Sequence, residues 1–135
     1  MSLHQVSTVK PLIMSVDGAS CRISVSTALP VHMRPKTREV SNIYTQPDKR
    51  GTGQATKLMK IVCDIADKDQ MSLILFVKPY GQNAPTTEYD LVEWYQRKFG
   101  FVMIQLNPIM MVRIPDSTPK PPEVKQELIG ECNEI

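Results

Sequence analysis

Arg50-Gly51-Thr52-Gly53-Gln54-Ala55 lies between a run with strand character and a run with helical character. Before it, Glu39 to Thr45 reads as a strand, and Gln46-Pro47-Asp48-Lys49 is turn chemistry. After it, Ala55, Leu58, Met59, Val62, Ile65 and Ala66 recur at helical spacing, while Lys57, Lys60, Asp64, Asp67 and Lys68 take the other face. A loop in this position gathers the first N–H groups of the helix and the positive end of its dipole at one point, so an anion belongs there. Gly51 and Gly53 permit unusual backbone angles and carry no Cβ to block a phosphate.

Two common phosphate loops do not fit the run. A Walker A loop ends its spacing in glycine and lysine, whereas Thr56 precedes Lys57 here. A dinucleotide fingerprint needs a third glycine where Thr56 stands and an acidic residue where Lys78-Pro79 ends the next strand.

Outward from the loop, Leu73 to Val77 is an uninterrupted apolar run, as expected of a strand covered on both faces. Strand, helix and strand in this order imply a right-handed crossover with parallel pairing. Toward the N-terminus, Leu12 to Val16 and Cys21 to Thr27 read as antiparallel strands joined at Asp17-Gly18, and Pro30 to Thr37 reads as a loop. Toward the C-terminus, a long loop from Pro79 to Pro85 leads to the capping signature Thr87-Glu88-Tyr89-Asp90, a helix from Tyr89 to Phe99, and Gly100 as its stop. Val102 to Leu106 and Ile109 to Ile114 then form a hairpin through Asn107-Pro108. The expected fold is α/β (α+β), a mixed and mostly antiparallel sheet with flanking helices. Residues 1–114 make one domain, and 115–135, with Pro115, Pro119, Pro121, Pro122 and then acidic and polar residues, read as a flexible tail.

With 135 residues the chain fits one core, and at 41% hydrophobic and 22% charged it has the composition of an ordinary soluble protein. No apolar run approaches the roughly 18 residues of a membrane span, and Met1 to Lys10 lacks the pattern of a secretory signal, so a cytoplasmic location is expected. A formal charge of +2 gives no reason to expect nucleic acid. Cys21, Cys63 and Cys132 are far apart and read as free thiols, and neither His4 nor His32 stands at metal-site spacing to them, so no metal is expected.

The run matches the R-x-x-G-x-A form of the pyrophosphate loop of the GNAT superfamily, with Arg50, Gly53 and Ala55 at the matching positions. About forty residues later, Leu91-Val92-Glu93-Trp94-Tyr95-Gln96-Arg97-Lys98-Phe99-Gly100-Phe101 resembles the family's "fYeklGF" segment, and the order of the two motifs agrees. The resemblance spans Glu39 to Ile114. The segment before Glu39 is too short for the family's full set of one strand, two helices and two further strands, and those helices form much of the acceptor wall in relatives.

The resemblance implies an N-acetyltransferase that passes the acetyl group of acetyl-CoA directly to a primary amine, on a small molecule or a protein. The alternative is an acyl-CoA-binding module without catalysis. It further implies a V-shaped splay between the two parallel strands into which the pantetheine arm fits, with the pyrophosphate on Arg50, Gly51, Thr52, Gly53, Gln54 and Ala55. A free N–H among Ile43, Tyr44 and Thr45 would receive the thioester oxygen. Tyr95 is the candidate acid for the leaving thiolate and Glu39 the candidate base, placed by strand alternation on one face with Ser41, Ile43 and Thr45. A homodimer is compatible with this reading.

Overall fold

The structure, a computed structural model, describes residues 2–78 and 88–116. Six strands form one sheet: β1 (Leu12–Val16), β2 (Ala19–Ser24), β3 (Thr37–Thr45), β4 (Ser72–Phe76), β5 (Val102–Leu106) and β6 (Ile109–Arg113), in spatial order β1-β2-β3-β4-β6-β5. Helix α1 (Gln54–Asp69) links β3 to β4, and α2 (Glu88–Phe99) precedes β5. All neighbours are antiparallel except β3 and β4, which run parallel as the intervening helix requires.

The hairpin at Asp17-Gly18 forms as read, both residues taking positive φ (29° and 90°) as a tight two-residue turn demands. The terminal hairpin also forms, with the Asn107-Pro108 peptide cis. Strand β2 starts earlier than expected and stops at Ser24. The segment Val31–Lys36, read as irregular, winds into a 3-10 helix. Arg34 stabilises the stretch before it by donating from Nε to the Leu29 carbonyl at 2.9 Å and from Nη2 to the Thr27 carbonyl at 2.8 Å.

Both helices pack on the same side of the sheet. Ala19, Cys21 and Ile23 alternate along β2 toward that side, Val40 stands opposite Ile23, and Met111 opposite Leu75, all in one core with Leu58, Met59, Val62 and Ala66 of α1 and Val92, Tyr95 and Phe99 of α2. The alternate set, Ser20, Arg22 and Ser24 of β2 with Glu39 and Ser41 of β3, projects from the opposite side of the sheet. Ile74 is buried as well, so β4 is covered on both faces as its apolar run implied.

The lower end of the molecule is tied by side chains to backbone. Asp69, at the end of α1, accepts from the Leu3 N–H at 2.7 Å and the Ser2 hydroxyl at 3.1 Å. The buried Arg38 guanidinium donates to the carbonyls of Leu3 (3.1 Å), Arg34 (2.7 Å) and Thr37 (2.9 Å), and burial lowers its pKa. Arg113 grips Asp67 through two nitrogens at 2.7 and 2.9 Å, and the same carboxylate accepts from the Asp116 N–H. The chain therefore stays bound to α1 as far as Asp116. The greater part of the expected tail, with Cys132, lies outside the described residues, as do the expected loop from Pro79 to Pro85 and Thr87 of the capping signature.

Candidate active site at the loop and the strand splay

After β3, residues Pro47–Lys49 make a single 3-10 turn, and Thr52 closes the next turn by donating from Oγ1 to the Lys49 carbonyl at 2.5 Å. Gly51 and Gly53 then take positive φ, 81° and 83°, a conformation side chains resist. Gly53 is the N-cap of α1 and supplies no side-chain cap; its carbonyl accepts from the Lys57 N–H at 3.1 Å, so the helix begins directly at the loop. A Cβ built on Gly51 or Gly53 would meet nothing within 4 Å. The space beside these two positions at the start of α1 is therefore open, as an anion held by the loop's N–H groups would need.

Arg50 leans back onto β3. Its Nε donates to the Thr45 carbonyl at 3.1 Å, and its guanidinium carbon lies 5.9 Å from the centre of the Tyr44 ring, within cation–π range. Gln54, the first residue of α1, buries its Oε1 without a hydrogen-bond partner. Ala55 and Thr52 complete the loop, Ala55 half-buried and Thr52 exposed.

Beside the loop the sheet opens. The parallel ladder joins Thr37 to Ser72, Arg38 to Leu73 and Glu39 to Ile74, then stops, although β3 continues to Thr45 and β4 to Phe76. This is the expected splay: beyond Glu39 and Ile74 the two strands are no longer paired with each other. Glu39 stands at its apex, half-buried, opposite Ile74 on one side and Ser24 on the other.

One expectation needs correction. Ser41 pairs with Arg22 but Tyr44 pairs with Ser20, so β3 carries an extra residue, with Asn42 in the left-handed region at φ 53°. The bulge reverses the alternation. Glu39 and Ser41 share their side with Tyr44, whereas Thr45 stands opposite buried Ala19 on the helix side, and Ile43 packs against the core. Asparagine tolerates this conformation better than most residues, which is the one sequence signal the bulge leaves.

Tyr95 is 5% exposed on the helix side, its ring 5.0 Å from that of Trp94 and 5.6 Å from that of Phe101. Tyr95 and Glu39 thus face opposite sides of the sheet. The thiols of Cys21 and Cys63 are pushed up by burial to about 12 and about 11, which leaves neither as a nucleophile at neutral pH. Among the described residues no cluster of three metal-ligating side chains occurs, and no helix is long and apolar enough to cross a membrane.

The comparisons agree with this geometry. No curated protein matches the chain. Among solved structures, the anti-CRISPR protein AcrVA5 is similar at TM-score 0.58 and 14% identity over 76% of this chain and 97% of that one. The ribosomal-protein-S18-alanine N-acetyltransferase of Escherichia coli gives TM-score 0.56 at 17% identity over 82% of this chain and 72% of its own. An aminoglycoside 6'-N-acetyltransferase complexed with coenzyme A gives 0.51 at 11% identity over 76% and 68%. Of two further neighbours the chain spans only 60% of the length. At such identities the likeness speaks for the fold alone. The profile of the Acetyltransferase (GNAT) family matches residues 18–101, more than half of the chain, from the first hairpin through the loop to Phe101. The chain belongs to the GNAT acetyltransferase family.

Proposed function

We propose that the protein is an acetyl-CoA-dependent N-acetyltransferase that acylates a primary amine by direct transfer. The observation that carries this reading is the juxtaposition of two features: an uncapped helix start behind two positive-φ glycines, and a parallel ladder that ends at Glu39 and Ile74. The first fits a pyrophosphate. The second opens a gap between two strands in which the amides of a pantetheine arm can lie as an added strand.

Gly51 to Ala55 hold the pyrophosphate through backbone N–H groups, and Arg50 adds positive charge beside them. A backbone N–H of the bulged segment Ile43 to Thr45 receives the thioester oxygen as it becomes an oxyanion. Glu39, directly or through a water, takes a proton from the ammonium, whose ordinary pKa of roughly 10 keeps it charged at neutral pH. The freed nitrogen attacks the thioester carbon, a C–N bond forms and the C–S bond breaks. Tyr95 gives its phenolic proton to the departing thiolate, and the second proton that the nitrogen sheds as the amide forms returns through solvent to restore the phenol. An acid and a base on opposite sides of the sheet suit this sequence, since donor and acceptor then approach the splay from different directions. Residues 1–114 act as one domain, with the remainder as an appended tail.

Turnover of Tyr95→Phe is the test of the catalytic assignment. The variant keeps the ring against Trp94 and Phe101 but lacks the proton, so kcat should fall by about 10² with little change in acetyl-CoA affinity. Full turnover would remove Tyr95 from the mechanism.

A further inference from the structure

The turn Asp17-Gly18 reverses the chain between β1 and β2, and it also lies against the segment that enters the phosphate loop. The Gln46 N–H donates to the Gly18 carbonyl at 2.7 Å, and Lys49 Nζ stands 3.5 Å from Asp17 Oδ1. A Cβ built on Gly18 would lie 2.5 Å from Lys49 Cγ and 3.0 Å from Lys49 Cβ, so the lysine stem fills the place where a side chain on residue 18 would begin. A hairpin turn accounts for the positive φ of Gly18 but not for this contact. At Gly51, Gly53 and Gly100, which share a positive φ, the same position has nothing within 4 Å. Lys49 in turn holds the loop, because its carbonyl accepts from the Thr52 N–H at 3.3 Å and from Thr52 Oγ1 at 2.5 Å, between the two glycines of the anion site. Hairpin turn, Lys49 and Thr52 form one line of direct contacts.

We propose that Gly18 is a positioning residue for the donor: the packing of Lys49 on its bare backbone sets where Arg50 to Ala55 stand, and with that the affinity for acetyl-CoA. The inference rests on the acetyl-CoA reading above. A new rotamer would clear Lys49 Cγ from a side chain at residue 18 but not Lys49 Cβ, which moves only with the backbone, and Thr52 would move with it. N–H groups aimed at an anion lose much of their hold when displaced by about 1 Å. The ion pair to Asp17 is a minor part of the contact, since its side chains are 39% and 62% exposed.

Calorimetric titration of the full chain with acetyl-CoA tests the proposal. Gly18→Ala should raise Kd about tenfold or more, whereas the same substitution in a Lys49→Ala background, without the nearest carbon, should raise it less than about threefold. Lys49→Met keeps the stem without the charge and should bind within about twofold of the unaltered protein. A lower melting temperature of Gly18→Ala follows from its φ of 90° alone and persists in both backgrounds, so donor affinity and its recovery are the readouts of positioning. Should Gly18→Ala not fold, Gly18→Asn, which tolerates positive φ better, brings the same Cβ and should show the same loss and recovery. A Kd unchanged at residue 18, a loss equal in both backgrounds, or a large loss in Lys49→Met would each overturn the inference and leave the acetyl-CoA reading standing. No binding by the unaltered protein would overturn that reading and this inference with it.

Discussion

Gly53 separates two roles that one residue can play in a phosphate loop, a backbone role and a steric one. Its φ of 83° is costly for any side chain, but the space around its Cβ position is empty. Gly53→Ala should therefore lower stability only by the backbone term, about 1 kcal/mol. Gly53→Asp places a carboxylate at the anion site as well, and it should abolish the acetyl-CoA-induced rise in melting temperature while the apo protein still folds cooperatively. Differential scanning calorimetry with and without donor distinguishes the two. The cysteines offer a second residue-scale test. With their pKa values raised to about 12 and about 11, Cys21 and Cys63 should resist iodoacetamide at pH 8 in the native protein and react in denaturant, as peptide mapping would reveal. The sign for stability follows. The neutral thiols favour the folded state below the ordinary value near 9, and that contribution is lost as pH rises through about 11 for Cys63 and about 12 for Cys21.

At the scale of elements, the buried Arg38 joins three segments by donating to carbonyls of the N-terminal turn, the Val31–Lys36 segment and the start of β3. Arg38→Met fills much of the volume but strands those carbonyls, and should cost about 2–4 kcal/mol in urea unfolding. A loss below about 0.5 kcal/mol would mean that solvent replaces the guanidinium. No sequence pattern announced this role, because Arg38 sits at the head of a strand where an exposed residue is the ordinary expectation. The elements that could be read were those with a strong period or a turn residue: the face of α1, the Asp17-Gly18 hairpin, the apolar run of β4 and the stop at Gly100. Elements set by tertiary bonding could not. The turn over Val31–Lys36 follows Arg34 reaching back to Leu29 and Thr27, and the bulge at Asn42 depends on pairing with β2, two strands whose register is fixed only when they meet. In the site, the loop Arg50 to Ala55 was legible through its glycines, whereas the stacking of Arg50 on Tyr44 and the buried Oε1 of Gln54 arise from how the loop folds back on β3 and α1.

The whole molecule is asymmetric about its sheet. The two long helices and nearly all the core lie on one side, and the other side presents Ser20, Arg22, Ser24, Glu39 and Ser41. The loop at the start of α1 and the opening between β3 and β4 meet at one end of this layered structure, where the proposed donor would lie. Binding of acetyl-CoA, measured by calorimetric titration and by the melting temperature of the same sample, tests that claim most directly. At a hundredfold excess over Kd the native state should gain about 2.7 kcal/mol, a rise of several degrees, and Gly53→Asp should show none of it. No heat and no shift at millimolar acetyl-CoA in the unaltered protein would contradict the account.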